Sequence, residues 1–291
     1  MKPRVGVIGV GAMGAGIAAA LLAHGFEVVV RDIVREREDA AVKAGALRGA
    51  SASDVAAKVD VLLTVVVDAA QTRGVLFGVD GVASAAKPGL VVMMCSTIAP
   101  ADTEAIAATL APVAMVDAPI SGGPARAHAG TLTVMAAGSP VALERCKPVF
   151  EAMAANVFRL SERLGDGSRM KVVNNMLAAA NLAAGCEAMA LAAKLGLDLK
   201  QAVNVVTASS GASWIFSDRM PRALAGDYAP RAAARVLKKD ISLFVEVARS
   251  LGLDAPMAET AKLIFEDTVE RGFGDEDDAA VFKRYALATR P

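Results

Sequence analysis

The sequence predicts an α/β fold, with a doubly wound, mostly parallel sheet in the first half and an all-helical second half. Three observations carry this prediction. Up to about residue 160, short β-branched runs alternate with Ala-rich stretches long enough for crossover helices. Beyond Arg163 those runs stop. Residues 168–194 then form a long segment with no Pro and Gly185 as its only Gly, the pattern of a long helix. At 291 residues and 54% hydrophobic content, the chain is large enough for two cores. The expected domains are residues 1–163 and 164–291, divided within 160–167, where charges and two glycines interrupt the pattern.

Strands are expected at 5–8, 28–30, 61–67, 90–93, 113–116 and 132–135. The first strand runs into Val7-Ile8-Gly9-Val10-Gly11-Ala12-Met13-Gly14, a G-x-G-x-x-G turn that opens a helix over 15–24. In such a turn Gly9 makes the tight bend, Gly11 lets the backbone approach a pyrophosphate and Gly14 permits close helix–strand packing. The helix start, with Ala12 and Met13, supplies free N–H groups and a positive dipole end for phosphates. The second strand ends at Arg31-Asp32, eighteen residues past Gly14, where an acid accepts hydrogen bonds from ribose hydroxyls. A carboxylate there repels a 2′-phosphate and favours NAD, while Arg31 and Arg35 leave NADP open. His24 precedes Gly25 and reads as a helix-end residue.

The segment Asp117-Ala118-Pro119-Ile120-Ser121-Gly122-Gly123-Pro124 follows a strand and reads as a loop offering a hydroxyl and two exposed N–H groups, suited to a substrate carboxylate. Past it, Lys171, Asn174, Asn175 and Ala178 fall on one helical face. Lys171 stands among apolar Val172, Val173, Met176 and Leu177, a pocket pattern in which burial disfavours the ammonium and readies it for proton exchange. Further helices are expected at 199–208, 231–250, 256–271 and 278–288. Within them Lys238-Lys239-Asp240 reads as a solvated charged face.

Composition narrows the chemistry. Lys plus Arg and Asp plus Glu are both 31, and aromatics are 4%, which argues against nucleic-acid binding. Two histidines, His24 and His128, and three scattered cysteines, Cys95, Cys146 and Cys186, offer neither a metal cage nor a disulfide framework. The N-terminal MKPR and apolar run imitate a secretory signal, but the glycines from Gly6 to Gly16 contradict it. Residues 176–193 approach the length of a membrane span but contain Asn181 and Glu187, so a buried helix, no membrane and a cytoplasmic location are expected.

Four blocks in order carry a family resemblance: GVIGVGAMGAGIA, DAPISGGPARAHAGTLTVMAAG, GDGSRMKVVNNMLAAANLAAGCEAMALAAKLGLD and LKKDISLFVEVA. Over essentially its whole length the chain resembles the β-hydroxyacid dehydrogenases, the group that includes 3-hydroxyisobutyrate dehydrogenase and tartronate semialdehyde reductase. The resemblance implies a Rossmann-type domain, a long interdomain helix and a helical domain that supports dimers or tetramers. It makes Lys171 the catalytic lysine and Asn175, beside Asn174, the amide that orients substrate. Ser121, Gly122 and Gly123 become the carboxylate-binding segment. Val66, Thr97 and Lys239 join the cofactor-binding residues, and His128 falls at a variable position and stays a loop residue.

Segments 67–71, 213–220, 226–228 and 272–278 resemble the L-threonate branch, whereas Asn174-Asn175 is the pair of the hydroxyisobutyrate type. Ala178 stands where decarboxylating relatives carry a glutamate, so oxidation without decarboxylation is implied. The expected function is oxidation of a small hydroxycarboxylate. An NADPH-dependent semialdehyde reductase and a non-catalytic dinucleotide-binding module are the alternatives.

Overall fold

The structure is a computed structural model that describes residues 2–286. The chain divides into two compact units, Met1–Lys171 and Val172–Pro291. The first alternates strand and helix: β1 (Val5–Ile8), α1 (Ala12–Ala23), β2 (Val28–Arg31), α2 (Arg35–Lys43), β3 (Leu47–Arg48), α3 (Ala52–Lys58), β4 (Val61–Thr64) and α4 (Ala69–Phe77). It continues with β5 (Val91–Met94), α5 (Pro100–Leu110), β6 (Ala114–Asp117), β7 (Ile120–Ser121), α6 (Gly123–His128), β8 (Leu132–Ala137), α7 (Pro140–Met153) and β9 (Ala154–Ser161).

The strands form one sheet in the order β3-β2-β1-β4-β5-β6-β8-β7, with β9 on β8. Pairing is parallel from β3 through β6, antiparallel from β6 to β8 and β7 to β8, and parallel again between β8 and β9. Side-chain alternation gives the sheet two covered faces. Val5, Val7, Val28, Val30, Leu63 and Met93 pack with Ile17 and Leu21 of α1 and Val149 and Phe150 of α7. Ile8, Val29, Leu62, Val92 and Met94 turn the other way, onto Val55 of α3, Leu76 of α4 and Ile106 and Leu110 of α5. This is the doubly wound arrangement expected.

Several expected details change. The strand expected over 61–67 stops at Thr64, where its pairing with β1 also ends. β3 and β7 are two residues long, too short to leave a periodic signal, and β9 lacks a continuous apolar run because most of its residues are exposed or half-buried. The segment at Ser121 is not a simple loop, since Ser121 pairs with Thr133 of β8. His128 closes α6 rather than lying in a loop.

α8 (Asp166–Lys194) is the long helix expected, and its chain passes from the first unit to the second between Lys171 and Val172. The second unit continues with α9 (Leu199–Thr207), α10 (Trp214–Leu224), α11 (Ala234–Ser250), α12 (Pro256–Thr268) and α13 (Val281–Ala286). Leu182, Cys186 and Met189 of α8 share one core with Phe216 and Met220 of α10, Ile241 and Val245 of α11 and Phe265 of α12. By length and composition α8 could cross a membrane, but these apolar residues are core residues of the second unit. Sequence periodicity missed α10, whose interior contains Asp218, Arg219 and Pro221. The helix expected over 231–250 begins at Ala234, because the N–H groups of Arg231 and Ala232 donate to Asp277 instead. That expected over 256–271 gives way after Thr268 to a π turn containing Gly272 at φ +90°. Residues 278–280 form a 3-10 turn ahead of α13, and 287–288 of the expected last helix lie outside the described residues.

Candidate active site

The glycine-rich turn has the shape its spacing implies. Gly9 adopts φ +91°, and a Cβ at Gly14 would lie 1.9 Å from the Gly9 carbonyl oxygen, so both positions demand glycine. At Gly11 the situation is reversed, because an added Cβ would meet only Arg37 Nη1, at 3.7 Å. The space beside Gly11 is therefore open to a ligand. Ala12, Met13 and Gly14 occupy the first turn of α1, whose N–H groups have no intrahelical acceptors and no acidic neighbour in that turn. Such a turn fits a pyrophosphate.

Asp32 follows β2 and is buried. Its Oδ2 accepts the Val10 N–H at 2.8 Å, tying it to the glycine turn, and its Oδ1 accepts the Val34 N–H at 2.9 Å. A carboxylate has about four acceptor positions, so ribose hydroxyls still find acceptors here. These residues fit a bound NAD. Val66, after β4, donates its N–H to Ser96 Oγ at 3.2 Å, and half-buried Thr97 follows Ser96 directly. Ser96 is thus a supporting residue that sequence reasoning missed.

Ser121 ends β7, and Gly122 and Gly123 follow at φ +133° and +76°, conformations only glycine adopts at little cost. All three are half-buried. The helix they lead into, α6, lies close against α1, where a Cβ at Gly16 would approach Ala127 Cβ to 2.7 Å. The glycine turn and the Ser121 segment thus share one packed support.

Lys171 sits in the second turn of α8 and is 7% exposed. The start of that helix is fastened to β6 through the fully buried Asp117. Asp117 Oδ2 accepts the N–H groups of Gly165 at 3.0 Å and Ser168 at 2.8 Å, and Oδ1 accepts the Ser168 hydroxyl at 2.9 Å. Ser168 Oγ also lies 2.8 Å from Thr103 Oγ1 of α5. Burial pushes the Asp117 carboxyl up to about 6, against the opposing pull of the Ser168 and Gly165 donors. Gly167 is required for this seat, since a Cβ there would come within 2.5 Å of the Met135 carbonyl oxygen. The sequence marks Asp117 only as an acid at the end of a buried strand, four residues before Ser121.

One turn past Lys171, Asn174 Nδ2 donates to Asn175 Oδ1 at 3.0 Å, and Asn175 Nδ2 donates to Asp240 Oδ2 of α11 at 2.7 Å. Lys239 pairs with the other oxygen of Asp240 at 2.7 Å. Asp240 is 5% exposed, which corrects the expectation of a solvated face for Lys238-Lys239-Asp240. A lone acid in an amphipathic stretch gives no sign that its partner lies 65 residues earlier. Among the described residues no group of three or more His, Cys, Asp or Glu gathers to hold a metal.

Residues 4–161 match a family model described as the NAD binding domain of 6-phosphogluconate dehydrogenase. Residues 165–285 match one described as the NAD-binding of NADP-dependent 3-hydroxyisobutyrate dehydrogenase. The chain is 43% identical to L-threonate dehydrogenase of Escherichia coli K12, over 99% of this chain and 96% of that protein. It is 35% identical to NAD-dependent L-serine dehydrogenase of Pseudomonas aeruginosa, over 97% of each. The crystal structure of a 3-hydroxyisobutyrate dehydrogenase from Salmonella typhimurium superposes with a TM-score of 0.90 at 43% identity, covering 97% of this chain and 99% of that one.

Proposed function

The chain belongs to the β-hydroxyacid dehydrogenase family, NAD- or NADP-dependent enzymes that oxidise small hydroxycarboxylic acids, and we propose from that premise that its substrate is L-threonate or a close four-carbon analogue, with NAD as the cofactor. The choice is carried by segments 67–71, 213–220, 226–228 and 272–278, which resemble the L-threonate branch, in a chain 43% identical to an L-threonate dehydrogenase along nearly the whole of both chains. 3-Hydroxyisobutyrate is the second reading, favoured by the Asn174-Asn175 pair. Residues 1–163 form the dinucleotide-binding domain in this reading, and 164–291 the helical substrate and oligomerisation domain.

Bound NAD supplies the hydride acceptor. Gly9, Gly11, Ala12, Met13 and Gly14 receive its pyrophosphate, Asp32 its adenosine ribose, and Val66, Thr97 and Lys239 complete the set. Ser121 with the N–H groups of Gly122 and Gly123 holds the substrate carboxylate. Asn175, braced by Asn174 and Asp240, orients the hydroxyl-bearing carbon. Lys171 Nζ takes the hydroxyl proton as the carbonyl forms and returns it in the reverse direction. Ala178 offers no acid to protonate a decarboxylated product, so the carbon skeleton is kept.

The protein is a cytoplasmic homodimer or homotetramer in this reading. Exposed Val173, Leu177 and Leu191 on one face of α8 support self-association. The experiment is a panel of L-threonate, D-glycerate, 3-hydroxyisobutyrate and 4-hydroxybutyrate with NAD and NADP, followed at the nicotinamide absorbance band. L-threonate with NAD gives the highest kcat/KM; a higher value for 3-hydroxyisobutyrate selects the second reading, and no turnover of any of the four overturns both.

A further inference from the structure

Arginines crowd the end of β2, where an adenosine 2′-phosphate would arrive, and one buried carboxylate engages two of them. Glu38 of α2 is 2% exposed and reaches back to that end. Its Oε1 accepts Arg31 Nη1 at 2.6 Å and the Asp32 N–H at 2.9 Å, and its Oε2 accepts Arg48 Nη1 at 2.7 Å. Arg48 stands on β3 beside β2, in register with Val30, and its second nitrogen pairs with Asp39. Arg35 pairs with Asp39 at 3.5 Å. Arg37, the remaining arginine of this region, has Nη1 3.9 Å from Asp32 Oδ1.

A 2′-phosphate is gripped by guanidinium groups with donors to spare in the right plane. Here one buried carboxylate takes donors from two of them. We propose that Glu38 sets the preference for NAD over NADP, by pairing with the guanidiniums of Arg31 and Arg48 so that their charge is offset where a 2′-phosphate would need it. The proposal rests on the placement of the adenosine ribose at Asp32. Glu38 acts as a positioning residue, through the two arginines and the Asp32 backbone.

Replacing Glu38 with Gln removes the charge while its side-chain oxygen can still accept the Asp32 N–H. The arginines are not stranded by the change, since their side chains are 33% and 26% exposed and remain hydrated. The test is calorimetric titration of the intact protein with AMP and with adenosine 2′,5′-bisphosphate, alongside kcat/KM for NAD and NADP. Glu38→Gln tightens the bisphosphate at least about fivefold, leaves AMP within about twofold, and raises the NADP to NAD ratio of kcat/KM by the same factor. Adding Arg31→Ala and Arg48→Ala to Glu38→Gln erases that gain, which a merely structural role for Glu38 would not produce. An unchanged bisphosphate affinity in Glu38→Gln, or a gain that survives loss of both arginines, overturns the proposal.

Arg48→Ala, which leaves Glu38 with two donors, tests the idea without emptying the carboxylate. Both affinities stay within about twofold of wild type, and a selective loss of bisphosphate binding overturns the proposal. Asp32→Ala separates the two layers. It weakens AMP and NAD if the ribose lies there, and unchanged AMP and NAD binding removes the premise independently of Glu38.

Discussion

Asp117, at the end of β6, accepts both the backbone N–H and the hydroxyl of Ser168, three residues before Lys171 on α8. One buried acid thereby anchors the start of the helix that carries the proposed general acid/base. Asp117→Ala leaves the Gly165 N–H, the Ser168 N–H and the Ser168 hydroxyl without this acceptor, at about 1–3 kcal/mol for each that stays unsatisfied. A loss of about 3 kcal/mol or more in urea unfolding is expected, with a lower kcat in the protein that remains folded.

The same residue makes stability depend on pH. The Asp117 carboxyl is raised by burial from 3.8 to about 6, so the native state holds its proton more tightly than the unfolded chain does. Its favourable contribution is complete below about pH 4 and is lost as pH rises through about 6. Asp117→Asn keeps an acceptor but cannot titrate. Its stability relative to wild type therefore rises between pH 4 and pH 7 by about 2 kcal/mol, read from unfolding curves at each pH.

Lys171→Ala loses kcat/KM at least about a hundredfold, the ordinary worth of a placed proton donor, while the NAD dissociation constant stays within about threefold. Steady-state kinetics and direct titration separate the two. Retained turnover would remove Lys171 from the mechanism.

Gly11 and Gly14 respond differently to the same methyl group. Gly14→Ala collides with the Gly9 carbonyl and lowers both stability and NAD affinity. Gly11→Ala meets only the end of Arg37, so its melting temperature stays within about 2 °C of wild type while NAD binding falls at least about tenfold. Thermal melts with and without NAD check both.

Asp240 is expected to act through Asn175. Asp240→Ala leaves the Asn175 amide without its acceptor and lowers kcat about tenfold or more, whereas Asp240→Asn keeps an acceptor and recovers part of the loss. Equal defects in the two variants would mean that the charge beside Lys239, and not the orientation of Asn175, is what matters.

What could be read from the sequence follows the range of the interactions involved. The glycine turn with Asp32 and the Lys171–Asn175 face depend on spacings within one motif or one helix, and a local pattern suffices to find them. Asp117, Ser96, Glu38 and Asp240 are defined by partners brought near by folding, as the Asp117–Ser168 and Asn175–Asp240 bonds illustrate. A buried acid next to basic neighbours looks like surface until its burial is known. β9 escaped for the related reason that a half-exposed edge strand shows no continuous apolar run.

Lys171 and Asn175 are separated by a single turn of one continuous helix. Their spacing, about 6 Å along the axis, is therefore a property of helical pitch and not of loop conformation. In the proposed mechanism the helix acts as a ruler: residues beside Asn175 can be exchanged to suit a longer, shorter or differently hydroxylated acid, and the distance from the proposed proton carrier to the proposed orienting amide does not change. On that proposal substrate range is adjustable through Asn174 and its neighbours while the calibration of the chemistry is left alone.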